Sequence, residues 1–298
     1  MATFGRLLTA MASPFQPDGG LDLDGAQRLA VHLVEHGSDG IVVAGTTGEA
    51  PTLTHDETLE LFHAVVGAVG DRATVLAGVG KNDTAATVRL ATEAAALGVD
   101  GLLVVTPYYN KPTQRGLVHH FTTVARATDL PLLLYNIPGR TAREIEPPTL
   151  LRLAEEVETV RGVKDAAGDL TKTSWLAARK PDDFDILSGD DALTLPILAV
   201  GGIGVVSVGS HLVGPDMAAL IDSFPTAPAK AREIHLRLLP LLTGLLSIEA
   251  SPAPLKAALN LLGLPGGPVR PPLVDLDGDQ HDTLHEALVA AGVELPQR

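Results

Sequence analysis

The sequence has 298 residues, 45% hydrophobic but only 3% aromatic, enough for one large α/β domain or two small ones with a core of Ala, Val, Leu and Ile. Lys and Arg total 22 against 36 Asp and Glu, and the resulting net charge of −14 argues against nucleic acid or an anionic membrane surface as a partner. There is no cysteine, which excludes disulfides, thiolate chemistry and Cys-ligated zinc; with no run of 18 apolar residues and no basic-then-apolar leader, a cytoplasmic protein is expected.

The elements alternate along the chain. Leu7 to Phe15 reads as a first apolar strand, and Ala26, Leu29, Ala30, Leu33 and Val34 follow helical spacing until Gly37. Ile41 to Gly45 is a short buried strand, and Thr54-His-Asp-Glu57 is a capping box opening a helix through Val69. Strands at 74–79, 101–106 and 131–137 alternate with helices at 84–97 and near 117–127, and Pro147 and Pro148 open another helix. Strands at 159–168, 184–188 and 204–208 alternate with helices around 171–178, 192–200 and 215–223.

This is eight strand–helix units in about 225 residues, near the ~250 typical of a (β/α)8 barrel. The strands are continuous apolar runs, as expected when helices cover a parallel sheet. A doubly wound open sheet is the other arrangement, but the first turn, 13–20, lacks the Gly-rich fingerprint such folds often carry. The expectation is a (β/α)8 TIM barrel over residues 1–225, with residues 226–298 forming a C-terminal helical region packed on it.

Catalytic groups of such barrels sit where the strands end. The chain has seven lysines, and only Lys164 lies inside an expected strand. Alternation puts Gly162 and Ala166 on its face, so there is room beside it. On this strand alone an edge lysine reaching into solvent is the plainer reading; if the side chain is buried, burial favours the neutral amine, a nucleophile for carbonyl carbon. The second strand ends in Gly45-Thr-Thr-Gly-Glu49, whose hydroxyls and consecutive amides suit a carboxylate. The fourth ends in Thr106-Pro-Tyr-Tyr-Asn110 and the fifth in Tyr135-Asn-Ile-Pro-Gly-Arg140-Thr141. All three tyrosines therefore fall on one rim, together with a guanidinium that binds carboxylates bidentately. The seventh ends in Ser188-Gly-Asp-Asp191.

The ordered set GTTGE, TPYYN, YNIPGRT, GVKDAAGD and LSGDD resembles the dihydrodipicolinate (4-hydroxy-tetrahydrodipicolinate) synthases, within the N-acetylneuraminate lyase superfamily of Schiff-base barrels. The resemblance runs from about Leu7 to the last helix. It implies a lyase of lysine and diaminopimelate synthesis, without metal or organic cofactor, acting on pyruvate and L-aspartate 4-semialdehyde. It assigns the imine to Lys164, the pyruvate carboxylate to Thr46 and Thr47, and proton relay to Tyr135. Thr46, Tyr135 and Tyr109 would form a hydroxyl chain, with Tyr109 supplied by a neighbouring subunit. Arg140 would hold the second carboxylate, and the Gly189 and Val206 backbones would line the pocket. A homotetramer built of dimers, with no nucleic-acid or membrane partner, is implied. Two alternatives are a pyruvate-releasing lyase or aldolase of a sialic acid or keto-deoxy sugar acid, and a metabolite-binding barrel without turnover.

The sequence departs from the family pattern at Ser13, Ala142 and Ala167. At the lysine-feedback site of sensitive relatives, His55, Asn82 and Tyr108 match, but Ala50, Thr58 and Ala86 replace Ser, His and Glu, so insensitivity to L-lysine is expected. The pairs His32/His36 and His281/His285 have metal-ligand spacing but no third ligand. Asp275-Leu-Asp-Gly-Asp279 reads as a turn, and Gly78-Val-Gly-Lys81 fails as a phosphate loop.

Overall fold

In the computed structural model, which describes residues 2–296, eight parallel strands close into a barrel in sequence order. They are β1 (Leu7–Ala10), β2 (Gly40–Val43), β3 (Thr74–Gly78), β4 (Gly101–Val105), β5 (Leu132–Asn136), β6 (Val160–Asp165), β7 (Asp185–Ser188) and β8 (Gly204–Ser207). Leu8 lies opposite Gly40 on one side and Val206 on the other, which closes the ring. The outer layer is α1 (Leu23–Glu35), α2 (His55–Val69), α3 (Thr84–Ala96), α4 (Gln114–Ala125), α5 (Pro138–Thr141), α6 (Pro147–Glu156), α7 (Leu170–Ala177), α8 (Thr194–Ala199) and α9 (Ser210–Ser223). Then follow α10 (Pro228–Ser247), α11 (Ala253–Leu261) and α12 (Gly278–Ala291). The (β/α)8 expectation holds.

Local chemistry explains the helix starts. Thr54 and Glu57 form both halves of the capping box on α2, and Asp83, Thr113 and Asp169 cap α3, α4 and α7. The Asp-rich stretch read as a turn leads into α12, where Asp277 caps the helix and makes a second capping box with Gln280. Two apolar groups fill the molecule. One lies between strands and helices. The other fills the barrel, with Phe4, Leu8, Val42, Leu76, Leu103, Leu133, Leu187 and Val206 stacked beneath Tyr135. Phe4 closes the N-terminal end, where a Cβ on Gly101 would come within 3.1 Å of its ring.

Several boundaries differ from expectation. β1 ends at Ala10 rather than Phe15, and β6 spans Val160–Asp165 within the wider stretch read as strand. α9 begins at Ser210, five residues early, and kinks at Val213 (φ −133°, ψ 35°) because Pro215 disrupts the turn before it. The one-turn α5 was not foreseen; it carries Arg140 and ends on Ala142 in the left-handed region, at φ 54°. Among the described residues, no helix is long and apolar enough to cross a membrane.

Candidate active site

Register places Tyr135 of β5, Lys164 of β6 and Leu187 of β7 side by side. Their side chains point into the barrel, just below its C-terminal rim. Lys164 is 4% exposed, and its Nζ stands 4.2 Å from the centre of the Tyr135 ring. The space it occupies exists because its neighbours are small. A Cβ on Gly189 would come within 3.1 Å of Lys164 Cγ and 2.7 Å of the Ala166 Cβ. A Cβ on Gly162, one layer down, would meet the Asp185 carbonyl at 2.6 Å. Lys172 and Lys256 are each paired with a glutamate at 2.7 Å, whereas Lys164 makes no ion pair among the described residues. Its sequence neighbour Asp165 faces the helices, where it accepts from Thr173 Oγ1 (2.7 Å) and the Ala167 N–H; burial pushes its carboxyl above the usual range.

A cavity of about 250 Å³ opens above Tyr135. Gly45, Thr46, Tyr108, Ile137 and Arg140 line it, and Lys81 and Pro51 stand on its wall. The loop that brings Thr46 there is tightly coiled. Glu49 N–H donates to the Thr46 carbonyl (3.1 Å) and Ala50 N–H to the Gly45 carbonyl (3.2 Å). Ala44 and Glu49 bound the turn, both left-handed, at φ 52° and 53°. The Ser13 hydroxyl donates to the Gly48 carbonyl at 2.6 Å. Ser13, one of the departures from the family pattern, thus fastens the loop with its hydroxyl.

The structure brings Lys164, Tyr135, Thr46 and Arg140 to one end of the barrel, with Gly189 against Lys164 and Val206 in the same inner layer. Of the expected residues only Thr46, Tyr135 and Arg140 line the cavity itself; Lys164, Gly189 and Val206 lie outside its lining, and two others stand apart. Thr47 is buried in the loop and does not line the cavity, and Tyr109 is 88% exposed. No hydrogen bond joins Thr46, Tyr135 and Tyr109, so the hydroxyl chain is not closed within one chain among the described residues. Tyr108 and Tyr109 part company, because Tyr109 is left-handed (φ 73°) and turns its ring away from the cavity that Tyr108 lines.

Two charged groups went unnoticed in the sequence, Lys256 and Arg270, and a third, Lys81, figured there only in a failed phosphate-loop match. Lys81 lines the cavity without an ion-pair partner among the described residues, and burial lowers its pKa. Lys256 and Arg270 both bond Glu49 from the C-terminal region. The one signal for Lys256 is a lysine inside the apolar run of α11. Asp191, 2% exposed, accepts from Ser207 Oγ and from the Val208 (2.7 Å) and Gly209 (3.1 Å) N–H groups, so it ties β7 to β8.

The pattern of the Dihydrodipicolinate synthetase family matches residues 3–291. A protein named 4-hydroxy-tetrahydrodipicolinate synthase from Moorella thermoacetica is 52% identical, covering 97% of this chain and 99% of its own. One of the same name from Acidothermus cellulolyticus is 54% identical, covering 98% and 94%. The crystal structure of dihydrodipicolinate synthase from Cyanidioschyzon merolae with lysine bound superposes with a TM-score of 0.96 at 45% identity, covering 98% of this chain and 99% of that one.

Proposed function

The chain belongs to the dihydrodipicolinate synthetase family, and from that premise we propose that it condenses pyruvate with L-aspartate 4-semialdehyde through an imine on Lys164. It is a 4-hydroxy-tetrahydrodipicolinate synthase, a Schiff-base lyase of the class I aldolase type in diaminopimelate and lysine synthesis, as its curated relatives are named. The observation that carries the site assignment is the placement of the buried Lys164 amino group, without an ion-pair partner among the described residues, 4.2 Å from the Tyr135 ring, beneath a cavity that Thr46 and Arg140 enter.

The chemistry proceeds from those positions. Lys164 Nζ adds to the ketone carbon of pyruvate, and water leaves with a proton relayed by the Tyr135 hydroxyl. Thr46 and the amides of its loop hold the carboxylate, with Thr47 shaping the turn from within. The protonated imine withdraws electrons, the pyruvate methyl loses a proton, and the enamine carbon attacks the aldehyde. Arg140 pairs with the carboxylate of the second substrate. The substrate's own amine then displaces Lys164 by transimination, which frees the enzyme and closes the ring. Gly189 packs against the Lys164 stem, and the resemblance would have its backbone and that of Val206 bound the imine.

We place the protein in the cytoplasm and its assembly as a homotetramer of dimers, in which Tyr109 completes the neighbour's hydroxyl chain. The 88% exposure of that ring on one chain supports this. A coupled assay with pyruvate and L-aspartate 4-semialdehyde tests the function, run beside sialic and keto-deoxy sugar acids. Condensation with the semialdehyde is the expected result. Cleavage of a sugar acid instead, or no turnover with any of them, would overturn it.

A further inference from the structure

Glu49 and Lys256 lie 207 residues apart and are both almost fully enclosed, each side chain 1% exposed. Lys256 Nζ donates to Glu49 Oε1 (2.7 Å) and to the Ser13 carbonyl (3.0 Å), and the Arg270 N–H donates to Glu49 Oε2 (2.9 Å). Both oxygens of the carboxylate are thus held from the C-terminal region. Phe15 lies between the two cations, with Lys256 Nζ and Arg270 Cζ each 4.1 Å from its ring centre. The Arg270 guanidinium reaches on to the Thr52 carbonyl (2.8 Å) and to both oxygens of Glu57.

A buried ion pair is a poor way to gain stability, because desolvating two charges consumes most of their attraction. Its location is informative. Glu49 is the last residue of the turn that carries Thr46 and Thr47, and it sits in a left-handed conformation that a glutamate does not choose on its own. The Ser13 carbonyl that receives Lys256 belongs to the residue whose hydroxyl holds the Gly48 carbonyl. One ammonium therefore grips the turn through two successive attachments, and neither reaches the cavity itself.

We propose that Glu49, Lys256 and Arg270 are positioning residues for the keto-acid carboxylate: α11 and the connector after it clamp the Thr46–Thr47 turn from behind and so set the affinity for pyruvate. This rests on the assignment of that turn to pyruvate made above. It separates the two buried lysines by role. Lys164 reacts, whereas Lys256 holds the loop that presents the substrate and does not itself meet it.

The test uses the full chain and borohydride trapping of pyruvate on Lys164, read by peptide mass, in wild type, Lys256→Met and Glu49→Gln/Lys256→Met. The double variant leaves neither charge buried alone. The half-saturating pyruvate concentration should rise about tenfold or more, the scale of one lost charge-assisted hydrogen bond. The maximal trapped fraction and the KM for the semialdehyde should stay within about twofold. An unchanged pyruvate half-saturation in folded variants overturns the proposal. So do equal shifts in both substrates' constants, or unfolding of both variants by circular dichroism, which would assign the network to stability alone. If wild type traps pyruvate on no lysine, the reading of Lys164 fails first and takes this one with it.

Discussion

Lys164 has a tyrosine face beside it, small residues around it and no acid within reach among the described residues. An amine so placed is available to a carbonyl, while the glutamate on Lys256 keeps that ammonium engaged. Reduction with borohydride in the presence of pyruvate should therefore add a pyruvyl-derived mass to Lys164 alone; label on Lys256 or Lys81 would contradict the assignment. Arg140 stands exposed and lines the cavity, whereas the proposed imine is on Lys164. Arg140→Ala should still form that imine but lose condensation roughly ten- to a hundredfold, since a charge-assisted contact is worth about 1.5–3 kcal/mol. Normal turnover at low semialdehyde would remove Arg140 from this role. L-lysine meets few partners at the corresponding residues. Thr58 spends its hydroxyl on the Thr54 carbonyl (2.8 Å), His55 faces Glu93 (3.0 Å), and Ala50 and Ala86 offer no polar group. Losing charge partners of this kind costs about 2–5 kcal/mol of binding. Titration of L-lysine into the condensation assay should leave the rate unchanged at concentrations that inhibit sensitive relatives; saturable sub-millimolar inhibition would show that other groups replace the missing ones.

Between elements, the closure of β1 onto β8 depends on a histidine that must stay neutral. His211 Nδ1 bonds the Val208 carbonyl (2.8 Å) and Nε2 accepts from the Ala12 N–H (3.1 Å), so a second ring proton would face a donor. Burial accordingly holds its pKa down to about 4. In the unfolded chain the ring takes up its proton near its ordinary value of 6.5. Between those values the unfolded state binds more protons, so stability falls as pH falls from 6.5 toward 4, by roughly 2–3 kcal/mol. Urea midpoints across that range should show the slope, and His211→Gln should lessen it, leaving the share of His120, whose burial likewise lowers its pKa to about 4; an equal slope in the variant would place the whole loss elsewhere. The strand–helix alternation was legible in sequence because buried parallel strands read as unbroken apolar runs and because the caps announce themselves locally. Lys164, Tyr135, Thr46 and Arg140 were legible because each lies where a strand ends. Lys256 and Arg270 were not, since their partner Glu49 is more than two hundred residues away and no local period marks the pairing. The direction of Tyr109 was equally hidden, for it follows from one backbone angle.

At the scale of the whole molecule, Tyr109 is 88% exposed on a loop beside the cavity, the largest exposure among the big apolar side chains of the described residues. A ring left so bare is expected to be covered by a second copy. Sedimentation should show a dimer or, with the second interface formed, a tetramer, and Tyr109→Ala should weaken the association and lower activity together. A fully active monomer at assay concentration would contradict this. The strain in the backbone is distributed just as unevenly. Ala44, Glu49, Tyr109, Lys111 and Ala142, the non-glycine residues with positive φ, all follow the C-terminal ends of β2, β4 or β5. At about 1–2 kcal/mol apiece, their combined cost is comparable to the net stability of an ordinary domain. The opposite end, plugged by Phe4 and packed with leucine, carries none of that load. A lineage that rebuilt these loops for another acceptor would therefore need permissive substitutions first, and they would accumulate on the N-terminal face, far from any contact with the new substrate.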